Sequence, residues 1–301
     1  MRIFVTGATG FLGYHFVNVA VALGHEVLCL RRLTSKSLFE PIVEKKVTWV
    51  NNDFTLKDVV RKFKPDVLFH AAWGGVRGAE RNDVNIQTAN IEMSDYIYHL
   101  YPYKQIISIG SQAEYGYYHG PVLEAHPLNP VTEYAKAKII SCNHLKDYCE
   151  AQGIEWQWIR IFTVFGEKQT GGLIKSFTQN CLDEISQFDT TEGKQIYSYL
   201  YSLDFAKAVC QVLGERGKSG IYNLSQPFCC YSNIEILAKI KKYLRSEILI
   251  NFGAIPYAPK QVMCMDGFIS HFESSFGKIP HTNFDLALHN TIESFIHNES
   301  I

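Results

Sequence analysis

Along this chain the spacing of apolar residues changes back and forth between two regimes. Residues 1–5, 26–30, 47–50, 66–72, 105–109 and 155–162 are short apolar runs rich in β-branched and aromatic side chains, which predicts strands buried on both faces. Between them side chains fit for burial recur every three or four positions: Leu12, Phe16, Val17, Ala20 and Leu23 after the first run, then Ile86, Asn90, Met93, Ile97 and Leu100 within 81–101. A helix is expected to open near Leu56, and Thr132 is a cap for another over 133–149. Strand and helix in regular alternation predict a parallel sheet covered on both faces. After Phe162 the alternation weakens. Helices are expected over 171–182, 204–213 and 285–296 and behind Ser232, with short strands over 220–224 and 247–252, and no internal repeat or low-complexity linker divides the chain. The later part is therefore expected to pack on the carboxyl edge of the sheet.

The turn after the first strand narrows the function. Gly7-Ala8-Thr9-Gly10-Phe11-Leu12-Gly13 joins that strand to the first helix. Gly7 permits a sharp turn, Gly10 lets the backbone approach a pyrophosphate, and Gly13 lets the helix pack close to the sheet. The helix then points its free amides and positive dipole end at the phosphates. Arg31 and Arg32 end the second strand, where an NAD site usually has a carboxylate for the ribose 2′-hydroxyl; arginines there favour the 2′-phosphate of NADP, or are simply solvated charges. After the third strand, Asp53 is either an acceptor for an adenine amino group, with Phe54 packed on the ring, or the cap of the next helix. Ala71 and Ala72 leave room for a flat cofactor at the end of the fourth strand, and His70 beside them reads as a hydrogen-bonded structural histidine.

Charge and cysteine usage exclude several other classes. With 29 Lys and Arg against 30 Asp and Glu the formal net charge is -1, and no basic excess points to nucleic acid or a membrane surface. No apolar run approaches the ~20 residues of a membrane span, and the first residues already form a strand, so a cytoplasmic protein without a signal peptide is expected. The 8 cysteines contain no CxxC pair and fall mostly inside expected elements, which reads as reduced, buried thiols and no metal site.

The remaining chemistry gathers behind the fifth strand. That strand opens into Gly110-Ser111-Gln112-Ala113-Glu114-Tyr115-Gly116, and Tyr134 and Lys138, the only YxxxK of the chain, lie one turn apart on the helix over 133–149. Together with Thr6, Phe69 to Ala72, Pro127-Leu128-Asn129-Pro130, Arg160, Asp204 and Tyr222-Asn223-Leu224, these residues resemble the extended short-chain dehydrogenases/reductases, nucleotide-sugar epimerase/dehydratase group, over nearly the whole chain. The resemblance implies an α/β protein: a Rossmann-type doubly wound parallel sheet from 1–165 and about 196–225, and a smaller α/β substrate-binding domain from 166–195 and 226–301. It implies a catalytic set of Ser111, Tyr134 and Lys138. A free phenol with a pKa near 10 is a poor base at neutral pH, so Tyr134 needs the Lys138 ammonium and an oxidised nicotinamide beside it. Ser111 aligns the same sugar oxygen, or caps the following turn. The resemblance also places Trp73, Asn90 and Ile161 at the dinucleotide, with Gln112, Thr163, Lys175 and Tyr201 at a nucleotide-diphosphate sugar. Related enzymes pair the helices over 81–101 and 133–149 across a two-fold axis, so a homodimer is expected, with Met93, Tyr96 and Leu100 on the buried face.

Departures from the family pattern sharpen the expected reaction. Dehydratases of this kind carry an Asp-Glu pair where this chain has Gln112 and Ala113, and the 3,5-epimerising reductases carry a cysteine at the position of Ala113, while Glu114 is displaced by one residue. The loop therefore supports plain hydride transfer. The usual phosphate-binding arginine is missing from Tyr197-Ser198-Tyr199-Leu200-Tyr201, which leaves Lys175 or Lys260 as substitutes. Taken with Arg31 and Arg32, the expectation is an NADP-dependent reductase of a nucleotide-linked 4-keto-6-deoxyhexose, supplying a deoxysugar for surface polysaccharide. The alternatives are an NAD-dependent nucleotide-sugar 4-epimerase and a non-catalytic dinucleotide-binding regulator.

Overall fold

The computed structural model describes residues 1–118, 120–226 and 229–298. Its first part alternates β1 (Arg2–Thr6), α1 (Phe11–Ala22), β2 (Glu26–Arg31), α2 (Pro41–Glu44), β3 (Val47–Asn51), α3 (Leu56–Phe63), β4 (Val67–His70), α4 (Val84–Tyr98), β5 (Gln105–Ser111), α5 (Glu133–Gln152) and β6 (Glu155–Ile161). The second part runs β7 (Thr163–Phe165), α6 (Leu173–Leu182), β8 (Gln187–Thr190), β9 (Ile196–Tyr201), α7 (Ser202–Gln211), β10 (Gly220–Leu224), β11 (Cys230–Ser232), α8 (Asn233–Leu244), β12 (Leu249–Phe252), β13 (Cys264–Met265), α9 (Ser270–Phe276) and α10 (Phe284–Asn298).

Seven parallel strands form one sheet in the order β10-β6-β5-β4-β1-β2-β3. Because β1 pairs with both β2 and β4, the crossovers diverge on its two sides, and a crevice opens at the carboxyl ends of β1 and β4. The period of two along β1 divides the core. Ile3 and Val5 join Phe16 and Val17 of α1 and Phe205 and Val209 of α7 on one face. Phe4 joins Ile97 of α4 and Leu145 of α5 on the other. This is the parallel sheet covered on both faces that the alternation predicts, and the doubly wound Rossmann-type sheet that the resemblance implies. His70 is buried inside it, with Nδ1 2.8 Å from Thr6 Oγ1 and Nε2 3.0 Å from Ser94 Oγ. Burial lowers its pKa to about 3, so the ring is neutral and structural.

A smaller body stands at the carboxyl edge. Its sheet has the order β11-β9-β13, with β7 also paired to β9, and β12 pairs with β8 separately. Phe165, Phe177, Ile236, Leu237, Phe284 and Ile292 fill its core. β9 sits in this small sheet although β10, which follows it, closes the large one, so the chain passes between the two bodies more than once. The helix expected over 81–101 divides in two. A 3-10 turn covers Gly78–Asn82, and Asp83 then caps α4 by accepting from Asn85 N at 2.9 Å and Ile86 N at 3.1 Å. All eight cysteines are free, but Cys230 is exposed and Cys210 and Cys264 are half-buried, which corrects the expectation of uniformly buried thiols. No helix among the described residues is long and apolar enough to cross a membrane.

Candidate active site

The crevice between β1 and β4 is lined by backbone because no side chain fits there. A Cβ on Gly7, whose φ is +75°, would lie 2.8 Å from the carbonyl carbon of Ala71 and the nitrogen of Ala72. On Gly13 it would lie 2.1 Å from the Gly7 oxygen, so any side chain there drives α1 off the turn. Two cavities meet over this turn and share Gly7, Gly10, Ala71 and Trp73. One, about 440 Å³, is also lined by Thr9, Ala72, Asn90, Arg31, Arg32 and Asn52. The other, about 470 Å³, follows Phe11, Leu12 and Gly13 to Tyr134, Lys138 and Ile161. A side-chain-free cradle at a helix N-terminus, with a cavity on each side, fits an extended dinucleotide whose pyrophosphate rests on the turn.

Not every residue expected at the dinucleotide borders these cavities. Asp53 Oδ1 accepts from Thr55 N at 2.8 Å and Thr55 Oγ1 at 2.6 Å, a local cap, and the Phe54 ring is 95% exposed. Asn52 takes the place at the cavity instead. Asn90 lines it while bracing the loop after β4, accepting from Gly74 N at 2.8 Å and donating to Gly74 O at 3.0 Å.

At the far end, β5 and α5 bring Ser111, Tyr134 and Lys138 together. The Ser111 hydroxyl stands on the Tyr134 side of the loop, near enough to favour the ionised phenol. Burial raises the Tyr134 pKa, while the Ser111 hydroxyl and the charge of Arg81 pull it back down. Lys138 Nζ donates to Ile109 O at 2.7 Å, lies 3.6 Å from the Trp73 ring centroid and is 6.0 Å from that of Tyr134. Burial lowers the Lys138 pKa to about 7. Arg77 Nη1 donates to Thr170 Oγ1 at 3.1 Å across the second cavity. Neither Arg77 nor Arg81 was singled out in the sequence; the only signal is two arginines in a glycine-rich stretch between a strand and a helix.

Beneath the serine loop lies a buried ion pair. Arg160 Nε donates to Glu114 Oε2 at 2.7 Å, and both side chains are almost wholly shielded from solvent. Glu114 Oε1 accepts from Ser111 N at 2.7 Å, and Trp158 Nε1 approaches both carboxylate oxygens at 3.0 and 3.2 Å. Arg160 continues to the Tyr115 hydroxyl at 3.1 Å, and Tyr115 donates to Asn223 Oδ1 on β10 at 2.6 Å. Glu114 therefore braces the loop, its carboxylate accepting from three buried donors.

The residues expected at the sugar nucleotide lie outside both cavities. Gln112 accepts from Tyr118 Oη at 3.3 Å, and Thr163 Oγ1 contacts Met265 Sδ at 3.6 Å. Tyr201 donates to the Glu167 carboxylate. Lys175 is turned toward α10, bonded to Gln179 Oε1 at 2.8 Å and 4.3 Å from the Phe295 ring centroid.

Residues 3–225 match the NAD dependent epimerase/dehydratase family. The chain belongs to that family. It is thus an NAD(P)-binding enzyme of oxidoreductase type. A protein of Methanocaldococcus jannaschii, provisionally named UDP-glucose 4-epimerase, is 31% identical over 68% of this chain and 71% of its own. The structure is similar to MoeE5 in complex with UDP-glucose and NAD, with a TM-score of 0.86 at 18% identity, covering 99% of this chain and 100% of that one. It is also similar to Thermus thermophilus UDP-glucose 4-epimerase complexed with NAD, with a TM-score of 0.83 at 20% identity over 98% and 99% of the two chains.

Two expectations are corrected by these findings. The NADP reading gives way because these similar solved structures are complexes with NAD. The physical reason lies at the end of β2, where Arg31 Nε donates to Asn51 Oδ1 at 3.3 Å, with its guanidinium 5.2 Å from the Trp49 ring centroid, and Arg32 is exposed. One arginine is already engaged along the sheet, and the other is a solvent-screened charge of little weight. The 4-keto-6-deoxyhexose reductase reading gives way because relatives such as the Methanocaldococcus jannaschii protein and one of Lactobacillus helveticus are named as UDP-glucose 4-epimerases.

Proposed function

We propose that this protein is an NAD-dependent 4-epimerase of a nucleoside-diphosphate hexose. The observation that carries the reading is the placing of Tyr134 and Lys138 at one end of a cavity whose other end is the glycine turn. The chemistry supplied by bound NAD is reversible acceptance of hydride from the sugar. In this reading the Tyr134 phenolate accepts the proton of the 4-hydroxyl as the sugar is oxidised, and gives it back when the opposite face is reduced. Ser111 holds the same oxygen by a hydrogen bond. Lys138, with one proton committed to Ile109 O, keeps donors for the hydroxyls of the cofactor ribose. Glu114 accepts from Ser111 N, Trp158 and Arg160 beneath the loop and lines neither cavity, so it is not placed to remove a carbon-bound proton. The sugar nucleotide would lie between the carboxyl edge of the large sheet and the smaller body.

Incubation with NAD and a panel of nucleoside-diphosphate hexoses in deuterated water tests this. The expected product is the C4 epimer with no net change in NAD and no deuterium at C3, C4 or C5. Loss of water, or solvent deuterium at C3 or C5, would overturn it.

In the same reading the protein is a cytoplasmic homodimer joined through α4 and α5. Tyr96 and Ile140 are 48% and 41% exposed on these helices, whereas Leu100 is buried in the core and Met93 lines the cofactor cavity, so the apolar face differs from the one expected. Light scattering at micromolar concentration should give the dimer mass, and Tyr96→Glu should shift it toward the monomer. A monomeric unmutated protein would contradict this assembly.

A further inference from the structure

Two cations approach Tyr134, and the geometry ranks them. The turn Gly78–Asn82 is fastened to α5 by Asn82 Oδ1, which accepts from Glu133 N at 3.3 Å. From the inside it is held by Gln87, only 2% exposed, whose Nε2 donates to the carbonyls of Gly75 at 3.0 Å and Glu80 at 3.1 Å. The Gln87 Oε1 accepts from Trp73 Nε1 at 2.9 Å, so one buried amide positions both the indole and the turn. Arg81 Nη1 donates to Val76 O at 3.1 Å, and its guanidinium carbon comes to rest 4.5 Å from the Tyr134 ring centroid. Among the described residues no carboxylate lies within ion-pair distance of Arg81. Lys138 stands farther off, at 6.0 Å, directed to Ile109 O and the Trp73 ring.

We propose that Arg81 is a positioning residue that holds Tyr134 in its ionised, proton-accepting form. This rests on the reading of Tyr134 as the proton carrier. A guanidinium stays charged at every working pH, whereas burial works against the charge of the Lys138 ammonium. The other groups facing the phenol are the Ser111 hydroxyl from β5, which favours the ionised form, and the Glu114 carboxylate from the following turn, which opposes it. Trp73 meets the ring edge-on at 6.3 Å and carries no charge. Arg77 lines the same cavity but is tied to Thr170. Among these, Arg81 is the permanent positive charge set directly on the ring.

The sign follows from the charge. Removing the Arg81 cation destabilises the phenolate, raises the Tyr134 pKa and moves the acid limb of the kcat profile to higher pH. For a cation 4.5 Å from the ring centroid, partly exposed to water, the shift should be about one to two pH units. The test is a near-ultraviolet phenolate titration of the NAD-loaded enzyme, taken as the difference from Tyr134→Phe, in the unmutated protein, Arg81→Met and Arg81→Lys. Arg81→Met should raise the Tyr134 ionisation by that amount, and Arg81→Lys should restore most of it. Should Arg81→Met fail to fold, Arg81→Gln carries the same comparison. An unmoved ionisation in the charge-removing variant overturns the proposal, as does a fall in kcat or rise in KM with the acid limb in place. The titration needs no substrate, so a failure to epimerise any hexose would sink the functional reading while leaving this result to stand or fall by itself.

Discussion

Tyr134→Phe is expected to lower the epimerisation rate by about 10² or more while leaving NAD affinity nearly unchanged, since a positioned acid or base typically supplies that much. The substitution removes one oxygen and keeps the ring. The edge-on contact with Trp73 at 6.3 Å and the guanidinium of Arg81 at 4.5 Å both survive it, so the cavity wall should keep its shape. Ser111 also keeps a partner, because its Oγ accepts from Ala113 N at 3.2 Å. Turnover and the NAD dissociation constant, measured side by side, check the prediction. A loss of NAD binding equal to the loss of rate would mean that Tyr134 builds the site without handling the proton.

A second large effect is expected beneath the serine loop. Glu114→Ala should destabilise the fold by ~3–5 kcal/mol, the usual consequence of stranding a buried charge. In its absence the Arg160 guanidinium loses its 2.7 Å partner, and Ser111 N and Trp158 Nε1 lose their acceptor in the protein interior. The loop they brace carries Ser111, so activity should fall with stability. Glu114→Leu combined with Arg160→Met should recover part of the stability, because it removes the unpaired charge although Ser111 N and Trp158 Nε1 still lack their acceptor. Denaturant midpoints for the three proteins decide the matter. A Glu114→Ala midpoint close to the original would show that the ion pair does not hold the loop.

The partners of Glu114 are not legible in the serine loop alone. Glu114 is displaced by one position from the dehydratase pattern, and where its carboxylate points depends on Trp158 and Arg160 of β6. Gly110 explains the fit: a Cβ there would lie 2.2 Å from Trp158 Nε1, so the strand must be bare at that point for the indole to reach the carboxylate. No local pattern announces a contact between residue 110 and residue 158.

The NADP expectation failed for a related reason. Arginine type and strand-end position were both legible at Arg31, but its engagement with Asn51 and Trp49 depends on β3 lying beside β2. The same distance in sequence hid the small sheet. Tyr197 to Tyr201 looks like a segment leading into a helix, and it becomes β9 only because β7, β11 and β13 arrive from other parts of the chain.

What the sequence by itself determined are the features set by residues near one another along the chain: the alternation of strands and helices, the glycine cradle from Gly7 to Gly13, and the Tyr134 and Lys138 pair one turn apart on α5. Their geometry follows from backbone period and sterics, which a few residues are enough to specify. Only the tertiary structure decided which charge stands beside the phenol and which carboxylate is locked away. Those outcomes depend on side chains 46 to 53 positions apart, Arg81 against Tyr134 and Glu114 against Arg160, brought together by the crossovers of the sheet. Burial then sets their weight, because removing water strengthens the charges that stay paired and penalises those left alone.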